Sequence, residues 1–394
     1  MPGPLDGVRV IDCSAVVSGP LAAMMLADQG ADVIKVESPG LGDVLRAGLF
    51  RRGGMTAFYM NCNRSKRGIV VDLQQEAGRA VIHDLLREAD VFIQNWRPGA
   101  AERLGLGWDD LHALNPRLIH CSVSGYGPDG PYAQRRVYDP IIQGITGHVA
   151  VQVNPEVPIP DLVRNIVADK SSAYTAAQAI TAALFARERG AGGQKIEVPM
   201  TDASLAFFWP DGMLKHTLIG EGVTPGHALY DVYRLWETAD GRILWFATLD
   251  SEYHGLFRAL DRPEWCDDPR FGSVKSRTEN LAELGSEIMK LISVLPTRDL
   301  LARMVEEDVP AGAVLSIEEM LEDEQLRHNH AIVETEHPAA GAMRMARPAA
   351  RFHGTPQTIS RLAPTMGEHT GEVLAELGYD NARIASLRAD GVVF

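Results

Sequence analysis

Val8-Arg-Val-Ile-Asp-Cys13 is a short apolar run, followed by Ser18-Gly-Pro20, a helical stretch through Leu21–Gly30, and a second apolar run, Asp32–Glu37. Strand, glycine-bearing turn, helix and strand together make the repeating unit of a parallel sheet, because parallel neighbours need a long crossover between them. The pattern recurs. Strand Ile69–Leu73 leads into Glu76–Ala89, where Ala80, Val81 and Leu85 fall at helical spacing with charges between them. Strand Asp90–Gln94, a short helix near Trp108–Leu114 and strand Leu118–Val123 continue the series. The first 125 residues therefore predict an α/β fold with a mostly parallel, Rossmann-like sheet covered on both faces.

Further on, an Ala-rich helix follows Asp169 and stops at Gly190-Ala-Gly-Gly193; strand Lys195–Val198 and an apolar helix over Ala203–Phe208 come next. The character then changes. Tyr230–Thr238 and Arg242–Leu249 flank Ala239-Asp240-Gly241, and Asp-Gly between such runs signals a hairpin. Helices are predicted over Ser251–Leu260, Asn280–Ile292 and Thr297–Glu306. The expected organisation is a large α/β domain over 1–225, a smaller α+β domain over 226–330, and a return to the large domain over 331–394.

The chain has 394 residues, 45% hydrophobic and 23% charged, and a net charge of −14. Such acidity opposes non-specific binding to nucleic acid or to an anionic membrane. Cys13, Cys62, Cys121 and Cys266 form no C-x-x-C pair, which argues against a disulfide framework or a zinc site and suits a reducing compartment. The first residues, Met1-Pro-Gly-Pro, lack a signal-peptide pattern, and no apolar run reaches membrane-spanning length. A cytoplasmic protein with no metal site is expected.

Ligands of open parallel sheets bind outside the carboxyl ends of the strands. The segments leaving those ends read Val16-Val-Ser-Gly-Pro20, Glu37-Ser-Pro-Gly-Leu-Gly-Asp-Val-Leu-Arg46, Asn95-Trp-Arg-Pro-Gly99 running on to Arg103, and Ser124-Gly-Tyr-Gly-Pro-Asp-Gly-Pro131. Arg46, Arg97, Arg103, Arg135 and Arg136 accompany them, and arginine's planar fork suits phosphate. Convergent arginines at one sheet edge favour a ligand with several phosphates. Gly125-Tyr-Gly-Pro-Asp-Gly130 matches G-x-G-x-x-G, but Pro128 and Pro131 prevent it from opening into a helix, so the dinucleotide fingerprint is absent and a nicotinamide-linked dehydrogenase is not favoured. There is no P-loop, nucleophile elbow or H-E-x-x-H. Asp169, at a predicted loop-to-helix junction, reads either as an N-cap or as a carboxylate kept ionised by the helix N-terminus and able to attack an activated acyl group.

Taken together, Ser18-Gly-Pro20, Leu26-Ala-Asp-Gln-Gly-Ala-Asp-Val-Ile-Lys-Val-Glu37, Gly42-Asp-Val-Leu-Arg46, Asn63-Arg-Ser-Lys-Arg67 with Val71-Asp-Leu73, Ala89-Asp-Val-Phe-Ile-Gln-Asn-Trp-Arg-Pro-Gly99, Arg103-Leu-Gly105 and Gly193-Gln-Lys-Ile-Glu-Val198 form an ordered series. In this succession the chain resembles the class III CoA-transferases, a group related to the α-methylacyl-CoA racemases. The resemblance spans nearly the whole length and is strongest over 5–205. It implies an interlocked homodimer, CoA esters as substrates with no permanently bound cofactor, and a carboxylic acid acceptor. It places CoA contacts on Val17, Ser18, Val71, Asp72, Leu73, Gln74, Asn95, Trp96, Arg97, Arg103 and Arg136, and the catalytic aspartate on Asp169. The implied mechanism is attack of Asp169 on the thioester to give a mixed anhydride. Backbone N–H groups around Ser171 are the expected oxyanion donors.

Some positions depart from the formyl-CoA transferase branch. Val17 replaces a glutamine that helps bind a small dicarboxylate, Ser38 replaces an arginine, and no glycine-rich lid occurs near 255–265. Gly226-His-Ala-Leu-Tyr-Asp-Val-Tyr233 looks closer to the racemase branch. A racemase, however, needs a second acid/base opposite Asp169. The matching position reads Val137-Tyr138-Asp139, and tyrosine, with a pKa near 10, is a poor base for that task. Val137, Tyr138 and Asp139 are expected to line the acyl pocket, and His148 to be structural. CoA transfer is the expected activity, racemisation the alternative, and a non-catalytic acyl-CoA binder the third.

Overall fold

A computed structural model describes residues 2–152 and 160–394. The chain forms two compact units, one of Met1–Tyr230 with His330–Phe394 and the other of Asp231–Asn329. The larger unit holds a six-stranded sheet. Its elements begin with β1 (Arg9–Asp12), α1 (Ser18–Asp28), β2 (Asp32–Glu37), the two-residue strands β3 (Arg51–Arg52) and β4 (Met55–Thr56), α2 (Ala57–Asn63) and β5 (Lys66–Val70). They continue with α3 (Glu76–Arg87), β6 (Val91–Gln94), α4 (Ala100–Arg103), α5 (Trp108–Leu114), β7 (Ile119–Ser124), α6 (Asp139–Ile145), α7 (Val167–Ala186), β8 (Gln194–Pro199) and α8 (Met200–Gly212). The sheet order is β5-β2-β1-β6-β7-β8, and every pairing is parallel.

Alternation along the strands explains why both faces are covered. Val10, Val33 and Ile93 point into one core with the alanines of α1 and α7, whereas Ile11, Ile34 and Phe92 point into the other with Val81 and Leu85 of α3. A strand buried on both faces reads as a continuous apolar run, which is how β2 appeared in the sequence. The second core also takes Val373, Leu374 and Ile384 from the helices Thr370–Glu376 and Asn381–Ala389. The chain end then returns to β5: Asp72 donates from its backbone to Val392 at 2.8 Å, and Val71 bridges Val393.

One predicted strand is displaced and one predicted hairpin is shortened. β5 runs over Lys66–Val70 rather than Ile69–Leu73. Its first two residues, Lys66 and Arg67, are charged, which is unusual in a central sheet. They are hidden because they are paired: Lys66 is fully buried against Asp12 at 2.8 Å, and Arg67 pairs with Asp32, Glu372 and Glu376. In the smaller unit the hairpin turn is present, with Thr238 donating to Gly241 at 3.0 Å. Its arms are short, Trp236–Glu237 and Arg242–Trp245, because Leu229–Val232 is a helical turn and a helix begins at Asp250. That sheet gains a third strand, Ala311–Ala313, and packs Ile243 against Leu256, Leu284 and Leu300 of its helices. No described helix is long and apolar enough to cross a membrane.

Candidate active site

Helix α7 opens at Val167 with Ile166 as its cap residue, and Ile166 has no side-chain acceptor for the free N–H groups of the first turn. Asp139 supplies the missing cap from a distant part of the chain. Its Oδ2 accepts from the backbone of Ala168 at 2.8 Å and of Asp169 at 3.0 Å, the two positions an N-cap side chain normally serves. Asp139 is buried, and its Oδ1 accepts from Gln143 at 2.5 Å; Gln143 is in turn fixed to the Val163 backbone through both ends of its amide. Asp139 therefore does not line the pocket, contrary to the expectation from sequence. Asp169 is the third residue of the helix rather than its cap, so its carboxylate is free to face a cleft.

Asp169 shares that cleft with Ser18, whose hydroxyl and backbone N–H favour the ionised form of the carboxylate. Ser18 is buried and is the first residue of α1, so its N–H belongs to the unpaired donors of that helix's N-terminus. The expectation of donors around Ser171 is not met. Ser171 is the fifth residue of α7, where the backbone N–H is taken up by the helical ladder, and its hydroxyl donates to the Ala168 carbonyl at 3.0 Å. Nor does Asp169 have an ordinary carboxyl pKa. Burial and the nearby Asp139 carboxylate raise it to about 6, partly offset by the polar groups of Ser18. At pH 7 roughly nine carboxyls in ten are still ionised.

The cleft, about 360 Å³, lies where the strand order reverses, between the carboxyl ends of β1 and β6, which is where open α/β sheets bind ligands. Val16, Ser18, Asn95, Trp96, Arg97, Arg136, Val137, Tyr138 and Asp169 all line it. The sequence reading missed Val123 and Met200, which complete the wall. Val17 does not reach it. That side chain is 2% exposed and packs with Leu45, Met55 and Tyr59 behind the loop, so Val16 is the valine facing the cleft. Val71, Asp72, Leu73, Gln74 and Arg103 also lie outside the lining. Val71 is a core residue, and Asp72 closes its own turn by accepting from the Gln74 backbone at 2.9 Å. Ser38 is exposed just past β2. His148 is buried against Phe207 and Phe208; its Nε2 has no hydrogen-bond partner among the described residues, and it does not line the cleft.

Gly19 lets α1 approach the loop before it. A Cβ there would fall 2.3 Å from the Ser14 side chain. G19A is expected to destabilise the fold by about 1–3 kcal/mol, as overpacking does, and to lower kcat by shifting Ser18. Thermal melts and initial rates check both effects.

Residues 5–370 match CoA-transferase family III, and the chain belongs to that family. It is thus a transferase of the CoA-transferase class. It is 34% identical over 405 residues to the succinyl-CoA–D-citramalate CoA-transferase of Chloroflexus aurantiacus, covering 100% of this chain and 98% of that one. It is 30% identical over 420 residues to a formyl-CoA:oxalate CoA-transferase of Escherichia coli, with both chains fully covered. Among solved structures, a CaiB/BaiF family protein from Brucella suis superimposes with a TM-score of 0.81 at 30% identity, covering 96% of this chain and 100% of that one. The Mycobacterium tuberculosis protein Rv3272 gives 0.82 at 29% identity, with 94% and 99% covered.

Proposed function

We propose that this enzyme moves CoA from an acyl-CoA thioester to a carboxylic acid, with Asp169 as the nucleophile. The observation that carries the reading is the geometry around that carboxylate. Its helix is capped by another residue, which leaves it free to line a ligand cleft together with Ser18 at the N-terminus of α1. In the proposed sequence an Asp169 oxygen attacks the thioester carbonyl, the C–S bond breaks, and CoA leaves as thiolate. The acceptor carboxylate then attacks the aspartyl carbonyl of the mixed anhydride and releases the donor acid. Thiolate attack on the acceptor's acyl carbon forms the new thioester and frees Asp169. A carboxylate with a pKa near 6 is ionised at neutral pH and is a better nucleophile than an ordinary one.

The CoA body is proposed to follow the carboxyl edge of the sheet. Its thioester end sits at β1 and β6, with Asn95, Trp96, Arg97 and Arg136 beside it. Arg103 lies on the adjoining α4, and the turn Val71–Gln74 after β5 is two strands further along, within reach of the adenosine end. R97A or R136A is expected to raise KM for the acyl-CoA roughly tenfold, the worth of one charge-assisted contact, with kcat within about threefold. The effect should shrink as ionic strength rises, and steady-state kinetics at two salt concentrations check it.

Two observations support transfer over racemisation. The relatives named above are transferases, and the described lining of the cleft contains no histidine opposite Asp169, with Tyr138 at the matching position. Val16, Val123, Val137 and Met200 favour an acyl group with apolar character. A homodimer with intertwined subunits in the cytoplasm is part of the proposal, supported by large apolar side chains left in the open on the larger unit, among them Phe50 at 89% and Ile219 at 92% exposure. The test is a panel of succinyl-, acetyl- and branched acyl-CoA donors with carboxylic acid acceptors in D2O. New acyl-CoA without α-deuteration supports transfer; α-deuteration without a new thioester points to racemisation.

A further inference from the structure

The segment Ser14–Ser18 joins β1 to α1 and brings both Val16 and Ser18 to the cleft. Its middle residue is in a conformation that its sequence resists. Val16 has φ 68°, in the left-handed region, where a β-branched side chain is a genuine outlier. Such backbone persists only where its surroundings over-determine it, and here they do. Asn95 brackets the preceding residue, accepting from the Ala15 backbone at 2.8 Å and donating to its carbonyl at 2.7 Å. Asp12 accepts from the backbone of Ser14 at 3.0 Å, and Lys35 donates to the Ser14 carbonyl. The bond to Val16 itself comes from Asp43, whose Oδ1 accepts from the Val16 N–H at 3.2 Å and from the Leu45 N–H at 3.0 Å. Its other oxygen is held at 3.0 Å by Lys35, with both side chains buried.

We infer that Asp43 is a positioning residue for the transfer reaction: through the buried pair with Lys35 it locks Val16 in the left-handed conformation and so sets the N-terminus of α1, with Ser18, in the cleft that Asp169 lines. Val17 shows the consequence of that turn, since its side chain is driven into the core behind the loop while its neighbours on either side face the cleft. A carboxylate is required because one group must accept from Lys35 on one side and from two backbone donors on the other. An asparagine of the same shape has a single acceptor oxygen and turns an NH2 toward one of them.

The inference rests on Asp169 and Ser18 forming the active centre, and the test separates the two claims. Rates of CoA transfer are measured for D43N in the Val16 and V16G backgrounds, each variant being compared only with its own parent because Val16 also walls the cleft. Glycine adopts φ near +68° without strain, so it needs no lock. The expected result is a fall in kcat of about 30-fold for D43N beside Val16, with KM for the acyl-CoA within about threefold, and a fall of less than about threefold beside V16G. Equal losses in both backgrounds, or no loss in either, overturn the inference, because a purely structural role for Asp43 does not depend on residue 16. D43E, which keeps the charge and displaces the acceptor by one methylene, gives the same comparison if D43N does not fold; V16N, also tolerant of the left-handed region, replaces V16G if that background is inactive. If D169N retains activity, the active-centre reading fails. If D169N is inactive and the two D43N losses are equal, only the role of Asp43 fails.

Discussion

D169N is expected to lower kcat for CoA transfer by about 10^4-fold, the scale on which loss of a nucleophile is felt, while raising the melting temperature near pH 7. The stability effect follows from the raised pKa. Burial and the Asp139 carboxylate lift Asp169 from 3.8 to about 6 in the folded protein. Below pH ~4 the carboxyl is protonated in both folded and unfolded chains, and its ionisation costs nothing. Between about 4 and 6 the unfolded chain gives up its proton more readily, so folding becomes progressively less favourable. Above about 6 the full cost persists, up to roughly 3 kcal/mol at 1.36 kcal/mol per pKa unit. Asparagine carries no charge and removes that cost. The gain in melting temperature should therefore be largest above pH 6 and vanish near pH 4. A variant that melts lower at neutral pH would mean that the polar groups of Ser18 favour the carboxylate by more than its desolvation costs.

D139N is expected to act on the same carboxylate from the other side. The substitution removes a negative charge that raises the Asp169 pKa, so the acid limb of the kcat/KM profile, at about pH 6 in the unaltered enzyme, moves down toward the ordinary carboxyl range. The rate does not benefit. Asp139 accepts from Gln143 with one oxygen and from the α7 backbone with the other, whereas an amide accepts with one alone. Because Gln143 is fixed to Val163 it does not turn to compensate. The first turn of α7 loses its cap, at about 1 kcal/mol, and Asp169 loses its orientation, for an expected fall in kcat of about 10^2-fold. Rate profiles from pH 5 to pH 8 for the two proteins give the comparison. An acid limb that stays in place would show that desolvation alone sets the Asp169 pKa.

The sheet was legible in the sequence because its determinants are local. Apolar runs such as Val33-Ile34-Lys35-Val36, ending in glycine-bearing turns, mark strands buried on both faces. The loops that carry Ser18, Asn95 and Arg97 could be placed because the edge of a parallel sheet dictates where they emerge. What the sequence concealed depends on pairing across long separations. Lys66 reads as a surface residue until Asp12 is beside it, and Asp139 as a pocket residue until the α7 N-terminus is seen to rest on it. The left-handed turn at Val16 has no local signal, since valine is among the residues least suited to it, and the exchange of places between Val16 and Val17 follows from that turn. The pKa of Asp169 was hidden for the same reason: the helix terminus that favours its ionised form is opposed by burial and by a second carboxylate 30 residues away in sequence.

The central claim is that Asp169 carries the acyl group. The direct measurement is to mix the protein with an acyl-CoA it accepts, quench with hydroxylamine, and analyse the peptide containing Asp169 by mass spectrometry. An acyl-CoA-dependent aspartyl hydroxamate at Asp169, absent from D169N, is the predicted result. Active transfer with an unmodified Asp169, or with the hydroxamate on another carboxylate, would contradict it.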